Sequence, residues 1–246
     1  MKKLLLLLPV LAILFGCMQS KPGSILELKY QGIEKNSQPR AVKVAILDTT
    51  FAANNPYAKL ANLPIMQLAS ASRAKLPLEV RVSNEYFNKY APHLARSLAS
   101  DIETILVDKG FKVYGRYANF DAIPYADKKN IELLVIPSFD FAPNIQNSST
   151  TLPILGTINK GTLQLIGRVE LTVCEPLSRE KLVTKKIDVA SSSASYDGDT
   201  GVHNALVDLL NATYPDILSK AAMLLDAEEM EEFTKHANEI KSKKVF

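Results

Sequence analysis

Residues 162–190 read TLQLIGRVELTVCEPLSREKLVTKKIDVA, and this stretch decides the fold class. Apolar and polar side chains alternate from Thr162 to Val173 and again from Lys181 to Ala190, which is typical of two half-buried strands. The segment between them, Glu175-Pro176-Leu177-Ser178-Arg179, has the composition of a turn. We therefore predict a long antiparallel hairpin.

Strands and helices interleave in the sequence before this hairpin. The patterns predict an outer strand, a more buried strand, a short strand and a central strand buried on both faces, at Ile25–Tyr30, Ala41–Leu47, Phe111–Tyr114 and Ile131–Phe141. Apolar residues at helical spacing from Phe87 to Leu106 predict an amphipathic core helix, which Gly110 ends. Pro92 lies inside that pattern, so the regular helix begins near it or kinks there. A short helix is predicted at Tyr125–Lys129.

The remaining segments are predicted to be loops and C-terminal helices. The loops, rich in Asn, Ser, Thr or Pro, are Phe51–Val82, residues 142–160 as a loop or hairpin tip, and Ser191–Gly201. The helices are His203–Leu225 and Glu228–Lys243, the second capped near Asp226. Together these elements predict an α/β fold of the α+β kind: a mixed central sheet with a long antiparallel hairpin, one core helix and two C-terminal helices.

The N-terminus has the layout of a secretory signal, with Lys2 and Lys3, an apolar run from Leu4 to Phe15, and Gly16. The run is shorter than the roughly 18–20 residues that a permanent membrane helix requires. Leu14-Phe15-Gly16-Cys17 fits the bacterial lipobox, in which the signal peptidase cuts before the cysteine. The thiol then receives a diacylglyceryl group, and the new amino group usually receives a further acyl chain such as palmitate. The alternative, an ordinary signal peptide with an incidental cysteine, is disfavoured because Cys17 directly follows the apolar run and a small residue.

The predicted organisation is therefore a lipoprotein signal peptide at residues 1–16, a lipidated cysteine and tether at residues 17–24, and a single domain at residues 25–246. Several acyl chains anchor a protein stably to a bilayer. Met18, where an inner-membrane retention signal would place Asp, favours the outer membrane as the location. The sequence leaves open whether the domain faces the periplasm or the cell surface.

Charge and cysteine content exclude several classes of protein. Removing Lys2 and Lys3 from the net charge of +3 leaves +1, so the mature chain has no basic field to attract nucleic acid. Once Cys17 is lipidated only Cys174 remains, which rules out an internal disulfide and a cysteine-based metal site. We expect Cys174 to be a packed thiol.

The sequence contains no motif of a catalytic, metal or phosphate site, so we expect no enzymatic activity, no catalytic residues, no metal and no cofactor. The isolated histidines His93, His203 and His236 are read as surface residues. The strand-end carboxylates Asp48 and Asp140 are read as solvated turn residues rather than catalytic groups. Asp197-Gly198-Asp199 indicates a turn rather than a calcium loop. The aromatic residues Tyr86, Phe87 and Tyr90 indicate core packing rather than a sugar-stacking platform.

Four stretches, together with the lipobox and the charged C-terminal helix, resemble the Helicobacter neuraminyllactose-binding hemagglutinin family, also called Helicobacter adhesin A. They are Val44–Asp48 leading to Phe51, Asp101–Leu106 running into Lys109–Val113, Ala126–Lys129 leading to the strand before Pro143, and Cys174–Leu182. The chain is similar to a divergent paralogue of this family. The resemblance implies a surface or outer-membrane lipoprotein, associated in some members with the flagellar sheath and described as an adhesin for sialylated glycans.

The resemblance also implies a glycan-binding segment, and here the chain departs from the family. The family's proposed sialic-acid segment is rich in lysine and arginine and follows the central strand, whereas this chain has Asn144-Ile145-Gln146-Asn147-Ser148-Ser149-Thr150. No ligand-binding residue is therefore carried over. Arg116 and Arg168 are possible substitutes, although strand arginines more often cover apolar surface or pair with a neighbour such as Glu170. We expect sialyllactose to bind no better than lactose.

The leading hypothesis is a membrane-anchored, adhesin-like binding protein whose partner is a host glycan or an envelope protein. The alternative is a structural or assembly lipoprotein of the outer membrane or the flagellar sheath.

Overall fold

The computed structural model describes residues 23–33, 35, 39–52, 78, 81–82, 86–152 and 156–243. The strands are β1 Lys43–Leu47, β2 Thr50–Phe51, β3 Lys112–Tyr117, β4 Leu133–Leu152, β5 Gly156–Cys174, β6 Lys181–Ala190 and β7 Ala194–Asp197. The α-helices are α1 Ala91–Asp108, α2 Tyr125–Asn130, α3 Gly198–Leu224 and α4 Ala227–Lys243. A π-helical turn, Tyr86–Tyr90, precedes α1, and a 3₁₀ turn, Phe120–Ala122, precedes α2.

The strands form one mixed sheet in the order β3-β1-β4-β5-β6, with β2 paired to β4 and β7 paired to β5. Strand β1 runs parallel to β3 and to β4, whereas β4, β5 and β6 are antiparallel to one another. One face of the sheet packs against α1 and α3 and forms the main core. This architecture confirms the predicted mixed sheet, core helix and C-terminal helices. None of the helices in the described ranges combines the length and apolar character of a membrane span.

The two helix boundaries that the sequence marked most clearly are confirmed. Helix α1 begins at Ala91 and places Pro92 in its first turn, where the missing N–H group costs no helical hydrogen bond. The carboxylate of Asp226 accepts hydrogen bonds of 3.0 Å from the backbone N–H groups of Glu228 and Glu229 and so caps α4.

The sheet contains a second antiparallel pairing beside the predicted β5–β6 hairpin, and this second pairing is the longer of the two. The β5–β6 pairing is confirmed, but β4 and β5 also pair along nineteen positions, from Leu134 opposite Cys174 to Leu152 opposite Gly156. Of the two expectations for residues 142–160, the loop is wrong and the hairpin is confirmed for residues 142–152 and 156–160; residues 153–155 lie outside the described residues. Beyond the core neither face of a strand needs apolar residues, so the alternation disappears although the backbone pairing continues.

Strand β4 also departs from the prediction that it is buried on both faces. Val135 is buried, but Ile136, Ser138 and Asp140, on the face away from α1 and α3, are partly exposed. Asp140 therefore lies inside a strand, whereas the sequence pattern predicted that it lies at a strand end. Only the first part of β4 is covered on both sides.

Three further segments were assigned wrongly, wholly or in part. Ile25–Tyr30 belongs to none of the strands of the described sheet; Leu26, Leu28 and Tyr30 pack against the core, which explains the misleading alternation. Within Ser191–Gly201, predicted to be a loop, residues 194–197 form β7 and α3 begins at Gly198. Of the predicted loop Phe51–Val82, residues 53–77 and 79–80 lie outside the described residues. Phe51 belongs to β2, and Leu78, Arg81 and Val82 are helical, so the loop prediction is wrong at these positions.

Candidate functional site

The predicted lipidation site, Cys17, lies outside the described residues, and so does the signal peptide before it. Cys174 is free and 3% exposed, and it packs in a small apolar cluster with Ala45, Ile131 and Leu134. Burial raises the pKa of its thiol. The prediction of a packed cysteine is confirmed.

Both arginines considered as substitute ligands for a sialic-acid carboxylate form ion pairs within the protein. The Arg168 Nε atom lies 3.1 Å from Glu170 and 3.8 Å from Asp140 on the neighbouring strand. The Arg116 Nε atom lies 3.2 Å from Asp48. Asp48 and Asp140, read as solvated turn residues, are thus partners of these arginines, and the pairing of Arg168 with Glu170 is as anticipated.

The remaining candidates have mainly structural roles. Tyr86 and Tyr90 are buried in the core, as expected, whereas the side chain of Phe87 lies outside the described residues. His93 and His236 are exposed; His203, by contrast, is half-buried, and its ring nitrogens lie 3.2–3.3 Å from the Tyr90 hydroxyl, which corrects the surface reading.

The Asp197-Gly198-Asp199 segment joins β7 to α3 rather than forming a simple turn. Asp197 pairs with Lys160 at 3.0 Å. Asp199 accepts hydrogen bonds from Arg81 at 2.6 Å and from Asn159 at 3.0 Å, and the bond from Arg81 lowers the pKa of this carboxyl. The described residues contain no group of three or more His, Cys, Asp or Glu side chains that could hold a metal.

The segment that the resemblance marks for glycan binding, Asn144–Thr150, lies in the outer part of the β4–β5 hairpin. We call this part the hairpin arm; it comprises residues 146–152 of β4 and 156–162 of β5, which pair throughout. The Tyr196 hydroxyl donates to Asn147 Oδ1 at 3.3 Å and fixes the base of the arm. Gly161 permits this contact, because a Cβ atom there would lie 2.7 Å from the Tyr196 hydroxyl oxygen and 2.0 Å from the Gln146 carbonyl oxygen.

Cations are concentrated at the other end of the sheet, around two aromatic rings. The Lys128 Nζ atom lies 3.8 Å from the centre of the Phe120 ring, and the Arg179 guanidinium lies 5.3 Å from the same ring. The Lys129 Nζ atom lies 4.5 Å from the ring centre of Tyr125, which is 53% exposed. We call these five residues the cation–aromatic surface.

Among the described residues, no carboxylate forms an ion pair with these three cations. In the described part of the chain, Lys128, Lys129 and Arg179 form no ion pair, in contrast to Arg116 and Arg168. A guanidinium above a ring uses its face for stacking and keeps the N–H groups at its edge available to an incoming anion. The surface can therefore bind anionic groups and stack apolar or sugar rings on Tyr125.

Local hydrogen bonds hold the two halves of the cation–aromatic surface. Asn119 accepts from the Ala122 N–H group at 2.9 Å and starts the 3₁₀ turn that carries Phe120. The Tyr117 hydroxyl donates to Asp127 at 3.0 Å and fixes α2, which carries both lysines.

The other half is the β5–β6 turn, which is organised by one buried carboxylate. Glu175 is 0% exposed and accepts from the Leu177 and Ser178 N–H groups at 2.8 and 2.6 Å and from the Ser178 hydroxyl at 2.6 Å. This turn places Arg179 in a left-handed conformation with φ +58°. Lys241 of α4 donates a hydrogen bond of 2.6 Å to the Ile131 carbonyl. Burial lowers the pKa of the Lys241 amine, whereas the nearby carboxylates of Glu175 and Glu132 raise it.

The sequence reading did not identify this surface, because Phe120 and Arg179 are far apart along the chain. A usable signal was nevertheless present. Two of the stretches that resemble the hemagglutinin family, Ala126–Lys129 and Cys174–Leu182, supply the three cations. The fold brings Lys128 and Arg179 together at Phe120, and Lys129 lies at Tyr125.

No protein-family model matches the chain. Two neuraminyllactose-binding hemagglutinins, one from Helicobacter pylori strain ATCC 700392 / 26695 and one from Helicobacter pylori, are each 24% identical over 274 aligned residues. The alignments cover 99% of this chain and 95% of the relatives. A crystal structure of a neuraminyllactose-binding hemagglutinin homologue from Helicobacter pylori has the same fold, with a TM-score of 0.62 and 17% identity over 88% of this chain and 100% of that chain. This chain is a divergent relative of the Helicobacter neuraminyllactose-binding hemagglutinins.

Proposed function

We propose that this chain is a lipid-anchored, adhesin-like lipoprotein of the outer membrane, without enzymatic activity, that binds an acidic macromolecule through its cation–aromatic surface. The observation that carries the proposal is the set of three cations, Lys128, Lys129 and Arg179, which lie over two aromatic rings and form no ion pair within the described residues. The lipobox at Cys17 supports the anchor, and the similarity to hemagglutinins supports a role in binding.

The shape of the surface favours a polymer over a small ligand. Small-molecule sites are usually concave and enclose most of the ligand. Here Tyr125, Lys129 and Arg179 lie on a short helix and a turn at the surface. A single acidic sugar would make few contacts there, whereas a chain with several anionic groups would engage all three cations at once. An acidic glycan chain of a host surface has this chemistry.

The proposal is tested with full-length, lipidated protein, using heparin as an acidic polysaccharide probe and dextran as a neutral one. The test variant is Lys128→Gln with Arg179→Gln. The matched control, Arg168→Gln with Lys186→Gln, removes the same charge from two cations that already pair with Glu170. An ion pair at an exposed surface contributes about 0–1 kcal/mol, so the loss of two cations should weaken heparin binding by roughly three- to tenfold.

The expected result is salt-sensitive heparin binding, no dextran binding, and a loss confined to the test variant. Equal losses in both variants would show that net charge alone governs the interaction and would refute the assigned surface. Protease treatment of intact cells tests the adhesin role itself. An adhesin must be cleaved from outside, whereas a protein protected until the outer membrane is broken would favour the assembly role.

A further inference from the structure

The last turn of α4 lies against the half of the cation–aromatic surface that α2 carries. Lys241, in this turn, is half-buried, and its Nζ atom donates to the Ile131 carbonyl at 2.6 Å. Ile131 caps the C-terminal end of α2, since its N–H group donates to the Asp127 carbonyl at 2.8 Å. The Lys241 amine thus holds the segment that joins β4 to α2, the helix of Lys128 and Lys129.

The same amine faces the other half of the surface, the β5–β6 turn that carries Arg179. Burial lowers the pKa of Lys241, and the carboxylates of Glu175 and Glu132 oppose this effect, so both carboxylates lie close to the amine. Glu132 is fixed to β1, because its Oε2 atom accepts from the Lys43 N–H group at 2.8 Å. Glu175 is 0% exposed and accepts three hydrogen bonds within the turn. One cation of α4 therefore interacts with both halves of the surface.

The charge of Lys241 matters because Glu175 is buried. Removing a carboxylate from water is costly unless hydrogen bonds and an opposite charge compensate for the lost hydration. The donors to Glu175 belong to the turn itself, whereas Lys241 belongs to a separate helix. Lys241 therefore supplies an opposite charge from outside the turn and supports the hydrogen bonds that shape it.

The shape of this turn decides where Arg179 lies. Arg179 has φ +58°, a left-handed conformation that residues other than glycine rarely adopt. Such a conformation persists only where the surrounding structure holds it. Here it is held by the bonds to the Glu175 carboxylate and by the bond of 2.8 Å from the Glu175 N–H group to the Glu180 carbonyl. A turn without this support would relax and move the guanidinium away from the Phe120 ring.

We propose that Lys241 is a positioning residue for the cation–aromatic surface: it holds the β5–β6 turn and the C-terminal end of α2 at a fixed distance, and so keeps Arg179 and Lys128 at the same ring. The inference rests on the proposed function of this surface. It gives α4 a part in binding although α4 carries no residue of the surface. In this role Lys241 acts through Arg179 and is not itself a ligand of the acidic polymer.

The experiment compares full-length lipidated proteins in which one lysine of α4 is changed. Lys241→Met removes the amine and keeps an unbranched side chain. Lys243→Met is the matched control, because Lys243 is exposed in the same turn of α4 and its loss changes the net charge equally. Lys241→Gln, which keeps an N–H donor without the charge, repeats the measurement and covers the case in which the Met variant does not fold.

Heparin binding tests whether Lys241 acts through Arg179. We expect Lys241→Met to weaken binding by roughly two- to threefold, the effect of losing one surface cation, and Lys243→Met to bind almost as the unchanged protein does. Arg179→Gln should weaken binding as much as Lys241→Met. The double variant should bind no more weakly than either single variant, because both changes remove the same contact. Lys241→Arg, which keeps the cation, should retain most of the affinity.

Hydrogen exchange tests the positioning without heparin. In Lys241→Met the Leu177 and Ser178 amides, which donate to Glu175, should exchange faster, whereas Lys243→Met should leave them unchanged. The paired amides of the hairpin arm should keep their protection in both variants. If the unchanged protein does not bind heparin, the proposed function fails, and the exchange rates still decide whether Lys241 holds the turn.

Three outcomes would overturn the inference. Losses of affinity that multiply in the double variant would show that Lys241 and Arg179 act independently. Unchanged exchange at Leu177 and Ser178 in Lys241→Met would show that the turn does not depend on α4. A Lys241→Arg variant as weak in heparin binding as Lys241→Met would show that the cation at this position is not what holds the surface.

Discussion

The hairpin arm and the cation–aromatic surface lie at opposite ends of one sheet and have opposite chemistry. The arm carries no charged residue from Gln146 to Asn159. The surface around Phe120 carries three cations without ion pairs in the described chain. The segment that the family resemblance marks for glycan binding is therefore the segment where this chain lacks positive charge. In the described part of this chain, three cations without ion pairs thus lie at the opposite end of the sheet from that segment.

The largest expected effect comes from removing the proposed lipid anchor at Cys17. Cys17→Ser should abolish acylation, and the protein should remain unprocessed or become soluble, because each buried CH₂ group contributes about 0.8 kcal/mol to membrane binding. Metabolic labelling with a clickable fatty acid measures this. Label that persists on the variant would show that the lipid is attached elsewhere and would contradict the proposed anchor at Cys17.

A second, smaller effect should show that the β5–β6 turn and the hairpin arm differ in local stability. Glu175→Ala removes the carboxylate that satisfies the Leu177 and Ser178 N–H groups in the β5–β6 turn. Leaving buried donors unsatisfied costs about 1–3 kcal/mol each, so we expect a clear loss of stability in denaturant unfolding.

Glu232→Ala, at an exposed position on α4, is the control and should leave the free energy of unfolding almost unchanged. Hydrogen exchange adds the spatial test. Protection should fall in the β5–β6 turn and α2 and persist in the hairpin arm. Equal loss of protection at both ends would mean that the sheet unfolds as one unit and that the turn has no separate role.

Sequence patterns identified the elements that bury a face and missed those that do not. Helix α1 and strands β5 and β6 were predicted because burial on one side imposes a period on their side chains. The outer halves of β4 and β5 were missed, since backbone pairing alone holds them and polar residues such as Ser148 satisfy it without any periodicity. Ile25–Tyr30 failed in the opposite way, because an extended segment packed on a helix alternates like a strand.

The candidate site was less predictable than the fold, for a physical reason. The cation–aromatic contacts join Phe120 to Arg179, and these distant residues meet only through the strand order β3-β1-β4-β5, with β4 antiparallel to β5. The pairing of Arg168 with Glu170 could be anticipated, because residues two apart on a strand share a face. Short-range pairing follows from spacing in the sequence, whereas a site assembled from separate segments requires the topology.

The last prediction concerns sialyllactose, for which the hairpin arm and the cation–aromatic surface should differ least in affinity. We expect sialyllactose to bind no better than lactose in calorimetry at physiological salt, with the domain in its full-length lipidated form. The Asn144–Thr150 segment has no cation, and Arg116 and Arg168 are committed to Asp48 and Glu170. A single carboxylate would then have to bind at an exposed surface, where an isolated ion pair contributes only about 0–1 kcal/mol.

If this expectation fails, the result would show most clearly how the hairpin arm and the cation–aromatic surface differ in sugar binding. A micromolar preference for sialyllactose would require a charge-assisted contact worth roughly tenfold or more in affinity, and the Arg179→Gln variant would show where that contact lies. Loss of the preference in this variant would place even the small ligand on the cation–aromatic surface. Retention of the preference would contradict the assignment of glycan binding to the cation–aromatic surface.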